Sequence, residues 1–340
     1  MTSTPLFSPQ RWRKIVFTYL SWFTGVLVLV VFIAMLAAIV FEHRKWDVPM
    51  LNLHAVDNPE VIARGKYLAY GPARCSDCHA PVELREQVDK GQEAPLTGGY
   101  GITVYLGKMV YPNITSDSAT GIGAVSDAKF ARFLKYGVNH YGEVGLPFMM
   151  YADLSDSDLV AILSFLRQTK PIHNQVKKSE YNLFGKLTKA FFLRPFAPSE
   201  SLSQTALIAP PRGRNVKYGD YLVNNVASCS SCHTKRNMYT GNYTGPKFAG
   251  GMVFHKEGDP SQIAVSPNLS PNLESGVLNK WSEKDFIQRF KTGNIRTWSP
   301  MAWGPFSRMT EEDLGAIYLY LKSLKPVSLK PVPLQTLKSN

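Results

Sequence analysis

All four cysteines of this 340-residue chain stand in two copies of one pattern, Cys75-Ser76-Asp77-Cys78-His79 and Cys229-Ser230-Ser231-Cys232-His233. C-x-x-C-H is the attachment signature of c-type haem. The spacing follows from the chemistry. Two thiols three positions apart each form a thioether to one haem vinyl group. The next residue, His79 or His233, is then held under the ring with its imidazole placed to ligate the iron. A structural zinc would have to draw its four ligands from across 154 residues, far from the usual spacings. A thioredoxin-like redox pair wants a βαβ setting and has no use for a repeated histidine. Two covalently attached haem c groups use all four thiols, so no disulfide is expected.

The repeat continues outside the motifs, at offsets that drift only between 152 and 156 residues. Gly65-Lys66-Tyr67-Leu68 matches Gly219-Asp220-Tyr221-Leu222, Gly98-Gly99 matches Gly250-Gly251, and Pro112-Asn113-Ile114-Thr115 matches Pro267-Asn268-Leu269-Ser270. Phe130 and Gly137 match Phe286 and Gly293, Asp158-Leu159 matches Asp313-Leu314, and Lys170-Pro171 matches Lys325-Pro326. The two units therefore share one fold: residues 54–173 and residues 212–327. Each reads mainly as helices joined by long loops. Asn58-Pro59 opens the first helix, with proline in the first turn. Ser126 starts a middle helix, and Ser282 with Asp285 starts its counterpart as a capping box. Gly137 and Gly293 close these helices. Ser155 with Asp158, and Thr310 with Asp313, start the last helix of each unit. Leu159, Ile162, Leu163 and Leu166 then follow at helical spacing in the first, and Leu314, Ile317 and Leu321 in the second. The fold class is mainly α: two tandem small helical domains, each built around one haem. Residues 174–211 form a linker, with an amphipathic run over 181–194 that carries Leu183, Phe184, Leu187, Ala190 and Phe191 on one side. That run reads either as a connecting helix packed between the units or as a foot on the membrane surface. Residues 328–340 are a C-terminal tail.

Residues 15–41 contain no charged side chain. As a helix they span roughly 40 Å at 1.5 Å per residue, enough to cross a bilayer with tilt. Residues 1–46 thus read as a cytoplasmic tail and transmembrane anchor. Basic residues flank the run on both sides, so the positive-inside signal is weak. Haem c is attached outside the cytoplasm, which puts the remaining chain there. The expected location is a bacterial inner membrane, single-pass, with the haem domains on the periplasmic side. A cleaved signal peptide is the rival reading, but its apolar core would be shorter, and no clear small-x-small site precedes the charged flank. The net charge of +12 favours an acidic protein partner. No basic-aromatic cluster or nucleic-acid motif points to nucleic acid.

Each iron needs a sixth ligand, and methionine is the usual partner of histidine in electron-carrying cytochromes c. In the second unit, Met301 in Ser299-Pro300-Met301-Ala302-Trp303 is the candidate. Met309 competes, but it stands where the first unit has Leu154, a packing position. In the first unit, Leu146 occupies the position of Met301, and leucine cannot ligate. Met149 is the candidate there, then Met150, then an open or His-ligated iron.

The chain resembles the membrane-anchored dihaem members of the cytochrome c superfamily. It is similar to the cytochrome c subunits of bacterial membrane-bound alcohol, aldehyde and gluconate dehydrogenases. Carrying the resemblance over roughly residues 58–327 are Ala73-x-Cys75-x-x-Cys78-His79, Gly98-Gly99, Pro112-Asn113-Ile114-Thr115 and Phe148-Met149-x-Tyr151-x-x-Leu154-Ser155. The counterparts are Phe248-Ala249-Gly250-Gly251, Ser266-Pro267-Asn268-Leu269 and Pro300-Met301-x-Trp303-x-Pro305-Phe306. The resemblance implies a small all-α fold per haem, His and Met ligands, export, and electron transfer with redox protein partners such as a dehydrogenase, an oxidase or another cytochrome. It also implies that the Asn113 and Asn268 loops lie near a haem propionate. Both loops fit the N-glycosylation pattern, yet being part of the repeat they read as structural. Many dehydrogenase subunits of this kind carry three haem motifs, where this chain has two. The expected role is an electron carrier and not an enzyme. The alternative is a dihaem peroxidase, which would keep one iron open, and Leu146 keeps that alternative standing.

Overall fold

The computed structural model describes residues 9–146, 148–149, 151–195, 207–237 and 241–328. Residues 1–8 and 329–340 of the expected tails, and the candidate Met150, lie outside the described residues. Helix α1 (Pro9–Phe41) starts six residues before the uncharged run and is about 50 Å long at 1.5 Å per residue. Phe17, Phe23, Phe32 and Ile39 are each more than half exposed on it. Water does not tolerate so large an apolar surface. The helix has the length and composition of a membrane span or a signal sequence.

After α1 the chain builds α2 (Pro59–Tyr70), α3 (Cys75–His79), α4 (Arg85–Asp89), the hairpin β1 (Gly101–Val104) and β2 (Gly107–Val110), α5 (Asp127–Tyr136) and α6 (Asp156–Arg167). Strand β3 (Glu180–Tyr181) and helix α7 (Leu183–Phe191) follow. The second half follows the same course, but among the described residues it lacks a helix at the place of α4 and adds α11 before the last one: α8 (Val216–Tyr221) running into a π turn, α9 (Ser230–His233), the hairpin β4 (Val253–Lys256) and β5 (Asp259–Val265), α10 (Glu283–Lys291), α11 (Trp303–Ser307) and α12 (Glu311–Ser323). The hairpins are a feature that the reading of long loops misses. Strands β1 and β2 are four residues each among glycines, too short for a period-two pattern to stand out. Strand β3 pairs antiparallel with β2 and extends the first hairpin to three strands.

Helix starts fall where the caps predict. Asn58 accepts from the amides of Glu60 and Val61 at 2.9 and 3.2 Å. Ser155 accepts from Asp158 N at 3.2 Å, and Thr310 accepts from Asp313 N at 3.1 Å. Ser282 and Asp285 complete both bonds of a capping box. The first and last helices of each half cross in close contact at a glycine. A Cβ on Gly65 would meet Ala161 O at 1.8 Å, and one on Gly219 would meet Ala316 O at 2.0 Å. This explains why glycine opens both copies of the Gly-x-Tyr-Leu repeat.

One apolar cluster runs through both halves, from Leu68, Leu159 and Leu163 to Tyr218, Leu222 and Leu314. The halves also exchange polar contacts crosswise. Tyr67 donates to Asp313 Oδ2 at 2.6 Å and accepts from Thr310 N at 3.2 Å. Tyr221 donates to Asp158 Oδ2 at 2.8 Å and accepts from Ser155 N at 3.2 Å. One pair of equivalent residues touches, Arg64 with Tyr218 at 3.2 Å, and the hairpins meet where Thr103 N donates to Glu257 Oε1 at 3.0 Å. The reciprocal Tyr–Asp contacts and the self-equivalent one mark a local twofold relation between the halves. Helix α7 packs on α1, where Phe41 meets Phe191.

Candidate functional site

Both C-x-x-C-H motifs are entered through a non-glycine residue in the left-handed region, Arg74 (φ 46) and Ser228 (φ 50). The turn aims the chain into the short helix that carries the histidine. In α3 the three-residue spacing puts Cys75 and Cys78 on one side. All four cysteines are unpaired. Burial pushes the thiols of Cys75 and Cys229 up to about 12, and that of Cys78 up to about 11.

His79 and His233 are buried. The Nδ1 of His79 lies 2.8 Å from Pro112 O, and that of His233 lies 3.0 Å from Pro267 O. A carbonyl only accepts, so Nδ1 carries the proton and the Nε2 lone pair is left free. Burial lowers both imidazole pKa values; the proline carbonyls act the other way and are outweighed. Both rings are therefore neutral, the form that ligates a metal.

The repeated loop motifs fix those carbonyls. Gly98 N donates to His79 O at 2.7 Å, and Gly250 N donates to His233 O at 2.8 Å. With φ of 70 and 75, these glycines bring the loop so close that a Cβ would meet the backbone of Pro112 or Pro267 at about 2.5 Å. The next residue locks the other side. Asn113 Nδ2 donates to Ile172 O and Asn268 Nδ2 to Val327 O, both at 2.8 Å. Their side-chain oxygens accept from Thr115 N at 2.9 Å and Ser270 N at 2.8 Å. Both asparagines are buried, which fits a structural clamp and not a glycan acceptor.

In the first half the loop carrying Met149 is tied back to the motif. Tyr151 donates to Ala73 O at 2.6 Å. Phe148 packs edge-on to Tyr111 at 6.4 Å, and Tyr111 packs edge-on to His79 at 6.0 Å. Met149 is half-buried against the core that also holds Cys75. In the second half Met301 and Cys229 border the same core. Ser299 Oγ accepts from Met301 N at 3.3 Å and from Trp303 Nε1 at 3.0 Å, and Arg289 lies 3.6 Å over the Trp303 ring. Met309 is fully buried, as is Leu154 at the matching place in the first half.

Three positioning groups escape the sequence reading. Lys135 donates to Leu154 O and Lys291 to Met309 O, fixing the end of each methionine loop. Their matching places in the repeat were the available signal. Arg74 had no local signal. Burial works against its charge, yet Asp77, Tyr151, Cys232 and Cys78 together raise its pKa. It also acts on Cys229, so one guanidinium is felt in both motifs.

The donor sets fit haem c: in each half, a neutral imidazole with Nε2 free stands behind two unpaired thiols at the attachment spacing. No family model matches the chain. It is 30% identical to the cytochrome c subunit of a quinone-dependent alcohol dehydrogenase from Gluconobacter oxydans, over 81% of this chain and 57% of that protein. It is 27% identical to the fructose dehydrogenase cytochrome subunit of Gluconobacter japonicus, over 77% of this chain and 52% of that protein. A "Diheme cytochrome c-type" protein of Cereibacter sphaeroides is 25% identical over 74% of this chain and 82% of its own length. The chain thus spans little more than half the length of the dehydrogenase subunits it matches. Over most of its own length, it is a homologue of the cytochrome c subunits of alcohol, fructose and gluconate dehydrogenases and of a dihaem cytochrome c.

Proposed function

We propose that the chain is a membrane-anchored dihaem c-type cytochrome. It passes electrons from a membrane or periplasmic donor, such as a dehydrogenase, to a respiratory acceptor. The observation that carries the reading is the repeated imidazole set: His79 and His233, each neutral, each with Nδ1 spent on a proline carbonyl. Cys75 and Cys78 would hold one haem, and Cys229 and Cys232 the other. His79 with Met149, and His233 with Met301, would be the axial ligands. When bound, haem c supplies a one-electron couple. The residues of the chain orient the two imidazoles, and the charge of one half-buried guanidinium, Arg74, acts on cysteines of both attachment motifs. A relay from one half to the other accounts for that proximity.

The N-terminal helix reads as a retained anchor in the bacterial inner membrane. Supporting this, its last turns are built into the fold by Phe41 against Phe191 and by Glu42 paired with Lys186. A cleaved signal would leave those partners bare. One observation favours a second reading: Leu146 stands in the first half where Met301 stands in the second. If Met149 does not ligate, the first iron is open and a peroxidase-like enzyme results. Ferrous spectra with and without carbon monoxide decide between the two. A carrier with both irons six-coordinate shows no carbon monoxide adduct at neutral pH; binding at one haem per chain overturns the carrier reading for that site.

A further inference from the structure

We infer that α7, together with the tip of the first hairpin, is a foot that lies in the headgroup–acyl boundary of the membrane where α1 emerges. The inference rests on reading α1 as a retained span and deepens it: the first half is held at the bilayer at two places.

Helix α7 begins where Asn182 accepts from Gly185 N at 2.8 Å. It packs on the last turns of α1. Phe191 meets Phe41 edge-on at 6.4 Å, Lys186 lies 3.4 Å from Glu42, and Ala38, one turn back on α1, is buried. Gly185 closes α7 onto the hairpin tip, where a Cβ would meet Leu106 O at 2.1 Å. The side left without a partner is apolar. Phe192 is 77% exposed, Leu183 52% and Phe184 49%. Tyr105 at the hairpin tip lies 5.8 Å from Phe184 and widens this face.

The cations are arranged at the margin. Lys189 turns inward to Glu143 at 2.9 Å and lies 5.5 Å over the Tyr181 ring. Arg44 and Arg194 sit over the Trp46 ring at 4.2 and 5.3 Å. Exposed aromatic and aliphatic residues on one side, with arginine and tryptophan at the boundary, are the pattern of a helix lying in a membrane interface. What names the bilayer as the occupant is continuity. Helix α7 meets the end of α1 at Phe41, where Ile39 and Val40 are exposed. A helix packed on the last turns of a span lies at the depth where that span leaves the acyl chains.

The segment after α1 is pinned and is no loose tether. Trp46 N donates to Gly142 O at 2.9 Å, and His43 Nδ1 lies 2.9 Å from Glu143, which also receives Lys189. Span, foot and this clamp fix the orientation of the His79 half toward the membrane. The second half carries no comparable contact with α1 among the described residues.

The test uses the full haem-loaded chain in phospholipid vesicles doped with a phospholipid that carries a photoactivatable group on its acyl chain near the headgroup. Labelled residues are mapped by peptide mass spectrometry. We expect label both within Trp12–Phe41 and within residues 183–192. In a Phe184→Ser, Phe192→Ser variant the label on 183–192 is lost while that on α1 remains. Label on α1 with none on 183–192 in the unaltered chain overturns the foot and leaves the span standing. Cross-linking of Lys186 to a second copy of the chain, with no lipid label on 183–192, assigns the face to self-association and overturns the foot as well. Absence of label from α1 overturns the span, and the foot falls with it.

Discussion

The two halves are one construction with different surroundings for the histidine. Around His79 stand rings and charges: Tyr111 edge-on to it, Tyr100 stacked on Tyr111 at 6.0 Å, and Arg85 over Tyr100 at 5.1 Å and paired with Asp77. In the second half Ser266 replaces Tyr111 and Ser231 replaces Asp77. Ser266 Oγ accepts from Met252 N at 3.0 Å, and Ser231 Oγ donates to Ser228 O at 2.7 Å. Both motifs open in the left-handed region, yet one is entered through Arg74 and the other through Ser228. The comparison separates what the attachment chemistry requires from what is free to vary. The imidazole, its carbonyl partner, the glycine and the asparagine clamp are the same in both halves. The outer polar and aromatic neighbours differ, and those are the groups that set solvent access and local charge, hence redox potential.

The sharpest way to break the comparison is to remove the proposed sixth ligands one at a time. A thioether is a soft, neutral donor that favours ferrous iron, so its loss lowers the potential of its own haem. Met301→Ala should abolish the ferric Met–iron charge-transfer band of the second haem and open that iron to carbon monoxide. Met149→Ala should do the same for the first haem, while Met150→Ala leaves both bands in place. Loss of the band in Met150→Ala but not in Met149→Ala would assign the ligand to the other methionine.

The crosswise contacts are unequal, and that inequality is the next largest effect. Asp158 is paired with Arg64 at 2.9 Å through two parallel bonds, and both side chains are buried. Position 218, equivalent to Arg64, holds a tyrosine, so Asp313 has no arginine of its own half beside it. Asp158→Asn strands a buried guanidinium and should cost about 3–5 kcal/mol of stability by chemical denaturation. Asp313→Asn still offers Tyr67 an acceptor and leaves no arginine of its own half unpaired, so it should cost no more than about 1 kcal/mol. Equal losses would show that the two contacts are equivalent after all.

Gly65→Ala and Gly219→Ala should behave alike, each losing about 1–3 kcal/mol, because each Cβ would enter a helix carbonyl of its own half. A loss in one alone would mean that only one crossing is as tight as drawn.

The smallest effect is a pH dependence. Burial raises the Asp313 pKa, with Glu312 adding to it, against the opposing pull of Tyr67 and Arg64. The folded chain therefore holds this proton more tightly than the unfolded chain does. The stability it contributes is fully present below the unfolded pKa and is lost as pH rises through the raised folded value. The stability margin of the unaltered chain over Asp313→Asn should thus shrink as pH rises above the ordinary carboxylate range, about pH 4. A margin that grows with pH would contradict the direction of the shift.

What was legible in the sequence is what the backbone needs locally and needs twice. The caps at Asn58, Ser155, Ser282 and Thr310, the paired glycines and the Pro-Asn loops each do a job set within a few residues. The crosswise pairs were not legible. Tyr67 and Asp313 are 246 residues apart, and Asp158 and Asp313 look like ordinary first-turn acids of a helix. The Asp313 carboxylate turns instead to Tyr67 of the other half, and that of Asp158 is shared between Arg64 of its own half and Tyr221 of the other, choices made by tertiary packing alone. The hairpins were hidden by brevity, and the role of Arg74 by the fact that its second neighbour is the other motif. The placement of α7 on α1 likewise depends on Phe41 meeting Phe191, which no local period announces.

The central claim is that each C-x-x-C-H motif holds one haem covalently. Intact-mass measurement of the denatured, acid-acetone-extracted chain tests it directly. The account predicts the mass of the polypeptide plus two haems, falling by one haem when Cys229 and Cys232 are both replaced by alanine. A chain that retains one haem or none, or a mass unchanged by that double substitution, would contradict it.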